Sequence, residues 1–77
     1  MKNVVIYSTP TCTYCKMTKE FLTEHDVPFT DYNVADDTER RQEMVDKSQQ
    51  KGVPVVDIEG NILVGFNKEK LTEFLEL

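Results

Sequence analysis

No stretch of this chain approaches the roughly 20 consecutive apolar residues of a membrane-spanning helix, and its opening residues do not lead into the apolar core of a secretory leader. A soluble cytoplasmic protein with no membrane partner is therefore expected. Positive charge is also in short supply: 9 lysines and arginines stand against 14 aspartates and glutamates, for a net charge of -5. That balance excludes a phosphate-binding surface, and with it nucleic acid as a partner. There is one histidine, His25, and there are two cysteines. A structural zinc site needs about four ligands, so no metal site is expected from one chain. His25 reads instead as an exposed residue at a helix C-terminus, next to Asp26. Repeats, linkers and low-complexity tracts are lacking too, and 77 residues leave room for a single domain, 1–77. A monomer is expected.

What the chain does have is Thr11-Cys12-Thr13-Tyr14-Cys15, set between the apolar run Val4-Val5-Ile6-Tyr7 and a helix-patterned stretch from Lys16 to His25. A strand delivers Cys12 to the start of a helix, where the first unpaired N–H groups point towards its sulfur and stabilise a thiolate. Cys15 follows at helical spacing and returns to the same face, within reach of that sulfur. This is the geometry of a reversible disulfide. In a reducing compartment a lone dithiol is catalytic rather than structural, and Cys-x-x-Cys at a strand-to-helix junction of an α/β pattern reads as a thioredoxin-type redox motif.

The remaining elements follow from periodicity. Residues 2–8 form a strand buried on both faces, and Pro10 breaks it into a loop. From Thr13 to about Asp26, Met17, Phe21 and Leu22 make a core-facing stripe. Residues 29–34 alternate as a second strand, parallel to the first through a right-handed βαβ crossover. Asp36 or Asp37 caps a second helix with Met44 and Val45 facing inward, ending near Gln50-Lys51-Gly52; its dense charge reads as a solvated face. Residues 53–58 and 62–64 form a hairpin around Glu59-Gly60-Asn61. After Gly65-Phe66-Asn67 a last helix buries Leu71, Phe74 and Leu75. The order is βαβαββα, an α/β domain.

Across essentially its whole length the sequence resembles the glutaredoxin branch of the thioredoxin superfamily. The resemblance is carried by the Ile6-Tyr7 strand, Cys12-Thr13-Tyr14-Cys15, Gly52-Val53-Pro54 and Gly65-Phe66. It implies a thioredoxin-like fold with a four-stranded mixed sheet in the order 2-1-3-4 and helices on both faces. It also implies a cis Val53-Pro54 bond that turns the Val53 N–H and C=O towards an extended substrate. Tyr14, Lys51, Val53, Pro54, Gly65, Phe66 and Asn67 are the implied substrate or glutathione contacts. Two places depart from glutathione-using members, which carry a lysine three residues before the first cysteine and a Gly-Gly-Cys-Asp-like stretch at the last helix. Here they hold Thr9 and Gly65-Phe66-Asn67-Lys68. Lys51, Gln49 or Gln50 and the helix start after Asn67 are candidates to replace those contacts. The Gly-Phe form is more similar to small redoxins that serve ribonucleotide reductase and are reduced by thioredoxin reductase.

The expected activity is a thiol-disulfide oxidoreductase that reduces protein or low-molecular-weight disulfides. Cys12 is the nucleophile, its pKa lowered from about 8.5 by the helix start, with Lys16 a further source of positive charge. Cys15 resolves the mixed disulfide. No tightly bound cofactor is expected; glutathione or thioredoxin reductase is the expected reductant, and ribonucleotide reductase a possible acceptor. A different class of function is a dimer holding a [2Fe–2S] cluster through Cys12 and two glutathione thiols.

Overall fold

The computed structural model describes residues 3–77. In chain order its elements are β1 (Val4–Ser8), α1 (Thr13–Glu24), β2 (Thr30–Asn33), α2 (Thr38–Ser48), β3 (Val55–Ile58), β4 (Asn61–Val64) and α3 (Lys68–Leu75). The four strands form one sheet in the order β2-β1-β3-β4. β1 runs parallel to β2 and antiparallel to β3, and β3 and β4 form a hairpin. Fold class, element order and strand order agree with the reading of the sequence. Lys2, placed in the first strand by that reading, lies outside the described residues.

The period-2 alternation of the strands divides the core in two. Val4 and Ile6 of β1, Val56 and Ile58 of β3 and Leu63 of β4 face one side, where Phe21 and Leu22 of α1 and Leu71 of α3 close over them. Tyr7 and Val55 face the other side and pack under Met44 of α2, with Val45 and Ile62 at the edge. Two helices therefore cover one face and α2 alone covers the other. Fully burying a Leu, Ile or Met side chain contributes about 1.5–3 kcal/mol relative to exposure. Both faces of β1 are closed in this way, which makes it the centre of the domain.

Local chemistry sets the element ends. Asp37 caps α2, accepting the Arg40 N–H at 3.1 Å, and Gln49 ends that helix in the left-handed region at φ 62. The β3–β4 turn is made by Glu59 and Gly60, at φ 50 and 95, with the Asp57 carboxylate accepting the Gly60 N–H at 2.7 Å. Positive φ at both positions suits the primed two-residue hairpin turn, so Asn61 belongs to β4 rather than to the turn.

The structure corrects one face of α1. Met17, expected in the core, is 38% exposed, and Thr18 is fully buried instead. Buried Cys15, Thr18 and Leu22 follow the 3.6-residue period along the sheet-facing side, with Phe21 beside them and Met17 further round the flank. Thr18 tolerates burial because its hydroxyl donates to the Tyr14 carbonyl at 2.8 Å.

Candidate active site

One end of the sheet gathers most of the residues singled out from the sequence. β1 leaves the sheet at Ser8 and reaches α1 through 9–12, and the Cys12 N–H donates to the Thr9 carbonyl at 3.3 Å. β3 enters beside it, since Tyr7 pairs with Val55, the first residue of β3, and Val53-Pro54 leads into that strand. β4 leaves at the same end, where the Gly65 N–H donates to the Pro54 carbonyl at 2.8 Å. Gly65 has φ 81, a conformation that costs a side-chain-bearing residue and that glycine adopts freely. α3 then starts at Lys68. The N-termini of α1 and α3, the Val53-Pro54 turn and the end of β1 thus converge.

Cys12 is the N-cap of α1, with extended backbone at φ -89 and ψ 112. Its Sγ accepts the Cys15 N–H at 3.1 Å, so a sulfur stands where serine or aspartate oxygens usually cap helices. No acidic residue occupies the first turn, and the positive end of the helix dipole is uncompensated by any local carboxylate. The two cysteines are joined as a disulfide with their Cα atoms 5.2 Å apart, inside the usual span for such a bond. Their exposures differ. Cys12 is half-buried and Cys15 is fully buried. Cys12 is thus the cysteine of the pair that presents surface to solvent, and Cys15 lies behind it.

Around the pair, Tyr14 is 62% exposed and projects from the first turn of α1. Met17 follows on the same flank, above a groove of about 130 Å³ whose walls include Phe21, Glu20, Phe66 and Lys68. Phe66 is half-buried and packs edge-on to Phe21 with centroids 6.3 Å apart, so its ring belongs partly to the core. Asn67 caps α3, its Oδ1 accepting the Lys70 N–H at 3.1 Å. The Val53-Pro54 bond is cis, as the sequence resemblance implies. Val53 is half-buried, and its N–H and C=O have no hydrogen-bond partner among the described residues. Lys16 and Lys51 are exposed and form no ion pair among the described residues. Gln50 is half-buried, and both ends of its amide are engaged by its own loop. His25 is exposed at the C-cap of α1, its ring 4.4 Å from Phe21, far along the helix from the dithiol.

Two polar clusters behind the site were not legible in the sequence. Ser8, 2% exposed at the end of β1, donates to Asp31 at 2.7 Å, and Lys19 of α1 holds the other oxygen of that carboxylate at 3.1 Å. This ties β1, β2 and α1 together just ahead of the cysteine loop. On the opposite face, the fully buried Tyr7 donates its hydroxyl to Glu43, and Lys47 reaches that hydroxyl at 3.0 Å and Asp57 at 2.7 Å. Burial first, then the bond to Glu43, pushes the Tyr7 phenol up. The Tyr7 bond, aided by Lys47 and Arg40, holds the Glu43 carboxyl down. Lys47 is raised, chiefly by its bond to Asp57. Burial works against ionising Asp57, but Lys47 and the Gly60 N–H outweigh it and hold that carboxyl low. The charged side of α2 is thus a clamp onto β1 and β3, not simply a solvated face. The available signal was Glu43 and Lys47 at i, i+4 on the flank of Met44, opposite a lone Asp57 in an apolar strand.

A dithiol capping the first helix of this mixed sheet, beside a cis-proline turn, defines a thioredoxin-like redox protein. The comparisons narrow the class. Residues 4–63 match the family model described as Glutaredoxin. A glutaredoxin-like 8.6 kDa protein of the rubredoxin operon of Clostridium pasteurianum is 53% identical over 73 residues, covering 95% of this chain and 97% of that protein. The glutaredoxin-like protein NrdH of Lactococcus lactis is 30% identical over 73 residues, covering 91% and 96% respectively. Among solved structures, the glutaredoxin grx-1 of Archaeoglobus fulgidus superposes with a TM-score of 0.85 at 32% identity, over 100% of this chain and 89% of that one. The chain belongs to the glutaredoxin family, as a glutaredoxin-like thiol redox protein carrying its dithiol at Cys12 and Cys15.

Proposed function

We propose that this protein is a dithiol-disulfide oxidoreductase that reduces disulfides of other proteins, acting as a cytoplasmic monomer. The observation that carries the reading is the asymmetry of the pair: Cys12 caps α1 half-exposed, and Cys15 lies behind it fully buried. In the first step the Cys12 thiolate attacks one sulfur of the substrate disulfide. A Cys12–substrate bond forms, the substrate S–S bond breaks, and the departing thiolate takes a proton from solvent. In the second, Cys15 gives up its proton and attacks Cys12 Sγ, releasing the second substrate thiol. The substrate gains two electrons and two protons, and the chain ends as the Cys12–Cys15 disulfide. Substrate backbone pairs with the open N–H and C=O of Val53 as a short added strand. Tyr14 and Met17 supply exposed apolar surface beside the sulfurs.

The oxidised form must be refilled from outside. Specific observations favour a flavoprotein thioredoxin reductase over glutathione as the donor. Thr9 stands where a glutathione-gripping lysine would stand, the Asn67 amide oxygen is occupied in capping α3, and the Gln50 amide is occupied in its own loop. Lys51 and Lys16 are exposed cations that remain for a glutathione carboxylate. The similarity to a protein named NrdH supports the same direction and makes ribonucleotide reductase the first acceptor to try.

Two coupled assays test the proposal. Oxidised protein with NADPH and thioredoxin reductase is expected to consume NADPH steadily while a protein disulfide is reduced; NADPH, glutathione reductase and millimolar glutathione are expected to support little turnover. Turnover with glutathione alone would establish Lys51 and the α3 start as a working glutathione site. Turnover with neither would remove the reductase reading.

A further inference from the structure

The segment joining α2 to β3 carries a clamp made by one of its own side chains. Gln50 folds over the backbone two residues ahead of it: its Oε1 accepts the Gly52 N–H at 2.6 Å, and its Nε2 donates to the Gly52 carbonyl at 3.0 Å. One primary amide thereby pairs with both polar groups of one residue, as a neighbouring strand would. The same Nε2 lies 3.2 Å from Ser48 Oγ, and that hydroxyl donates to the carbonyls of Met44 at 2.7 Å and Gln50 at 3.1 Å. The last turn of α2, Gln50 and Gly52 form one network.

Gly52 is fitted to the same contact. Positive φ among the glycines is confined to Gly60 and Gly65, so backbone conformation does not call for glycine at 52. The Gln50 contact does: a Cβ there would meet Oε1, the movable end of that side chain, at 2.7 Å, so a side chain at 52 would push the amide away. The bareness of Gly52 is what admits the Gln50 amide.

Immediately after this clamp comes Val53, with its N–H and C=O unpartnered among the described residues, and then Pro54, whose carbonyl is held by Gly65. A free donor and acceptor are thus fixed from both sides, at the sheet end from which Cys12 emerges. Backbone groups at a half-buried position favour a partner strongly, and an extended chain supplies both at once.

We infer that Gln50 is a positioning residue for polypeptide substrates. By clamping Gly52 it holds the Val53 backbone in the orientation with which an extended disulfide-bearing chain pairs, and so favours such chains over small disulfides that have no backbone. Gln50 touches no substrate atom. The inference rests on the reading above, in which substrate backbone pairs with Val53.

The test follows single-turnover reduction by the pre-reduced full chain with three substrates: a peptide disulfide with a quenched fluorophore, the same peptide N-methylated at the residues flanking its cysteine, and cystamine. In the wild type the unmodified peptide is expected to half-saturate at lower concentration than the N-methylated one. Gln50→Ala is expected to raise that half-saturating concentration about tenfold, the size of one well-aligned backbone hydrogen bond. The limiting rate and the rate with cystamine are expected to change less than about twofold. Gly52→Ala, which leaves no room for the amide, is expected to give the same shift, and the double variant no further one. Gln50→Glu, which still accepts the Gly52 N–H, is expected to recover part of the loss and keeps the test open if Gln50→Ala fails to fold. Equal losses with peptide and cystamine, or an unchanged half-saturation in folded Gln50→Ala, would overturn the inference. A wild type indifferent to N-methylation would overturn the Val53 reading itself.

Discussion

Cys12 Sγ accepts the N–H of Cys15 at 3.1 Å, so the residue that opens α1 is tied to the one its first turn brings back. The bond points a backbone donor, as well as the end of a helix dipole, at the half-exposed sulfur and leaves the buried partner next in line. Cys12→Ser is therefore expected to lose disulfide reduction altogether. Cys15→Ser is expected to accumulate a mixed disulfide with its substrate, seen as an added mass that dithiothreitol removes. A Cys12→Ser protein that still turned over would reverse the two roles.

The Tyr7, Glu43, Lys47 and Asp57 cluster ties stability to pH at both ends of the scale. Glu43 and Asp57 titrate below their ordinary range in the folded chain, so their contribution is complete above it and is lost as pH falls through their folded values. Lys47 and Tyr7 titrate above theirs, so their contribution is complete below about pH 10 and is lost as pH rises further. Stability measured by urea unfolding is expected to be flat between about pH 5 and pH 10 and to fall on either side. Lys47→Met leaves Asp57 and the buried Tyr7 hydroxyl short of a donor, and is expected to cost about 1–2 kcal/mol near neutral pH. It should also flatten the alkaline edge. An alkaline edge as steep as in the wild type would place the titrating group elsewhere.

Ser8 and Asp31 make a sharper test of hydrogen-bond asymmetry. Asp31→Ala strands a hydroxyl that is 2% exposed and is expected to cost about 1–2 kcal/mol. Ser8→Ala with Asp31→Ala removes the stranded group and is expected to cost less than Asp31→Ala alone. Thermal melts of the wild type and the two variants measure this, at about 4–8 °C per kcal/mol for a domain of this size.

Asn67 holds the start of α3 through the Lys70 N–H. Asn67→Ala is expected to destabilise the chain by about 1 kcal/mol, and Asn67→Asp, which caps equally well and adds a favourable charge at the helix start, to restore it. Melting temperatures decide the matter; no difference between the two variants would show that the cap contributes nothing.

Most of the architecture was written into local patterns. Alternation in 29–34, the apolar run in 53–58, the helical spacing of Phe21 and Leu22 and of Leu71, Phe74 and Leu75, and a cap at Asp36 or Asp37 each report on neighbours within a few residues. The dithiol was legible for the same reason: strand, Cys-x-x-Cys and helix start are contiguous, so its geometry needs no long-range contact. Val53-Pro54 was legible through family resemblance, since chain chemistry alone favours a trans bond.

Tertiary structure decided what lies between elements distant in sequence. Met17 and Thr18 are adjacent, and only the angle at which α1 meets the sheet exposes the first and buries the second. The charges of α2 look like a solvated face until Tyr7, 36 residues from Glu43, is laid beneath them. Gln50 and Gly52 are only two residues apart, but their contact depends on an irregular loop conformation that no periodic pattern reports, so Gln50 read as a ligand contact. By itself the sequence determined which residues carry the electrons, because that depends on one helix start. Which residues surround the dithiol was decided by the packed sheet, because only the sheet brings the ends of β1, β3 and β4 to one place.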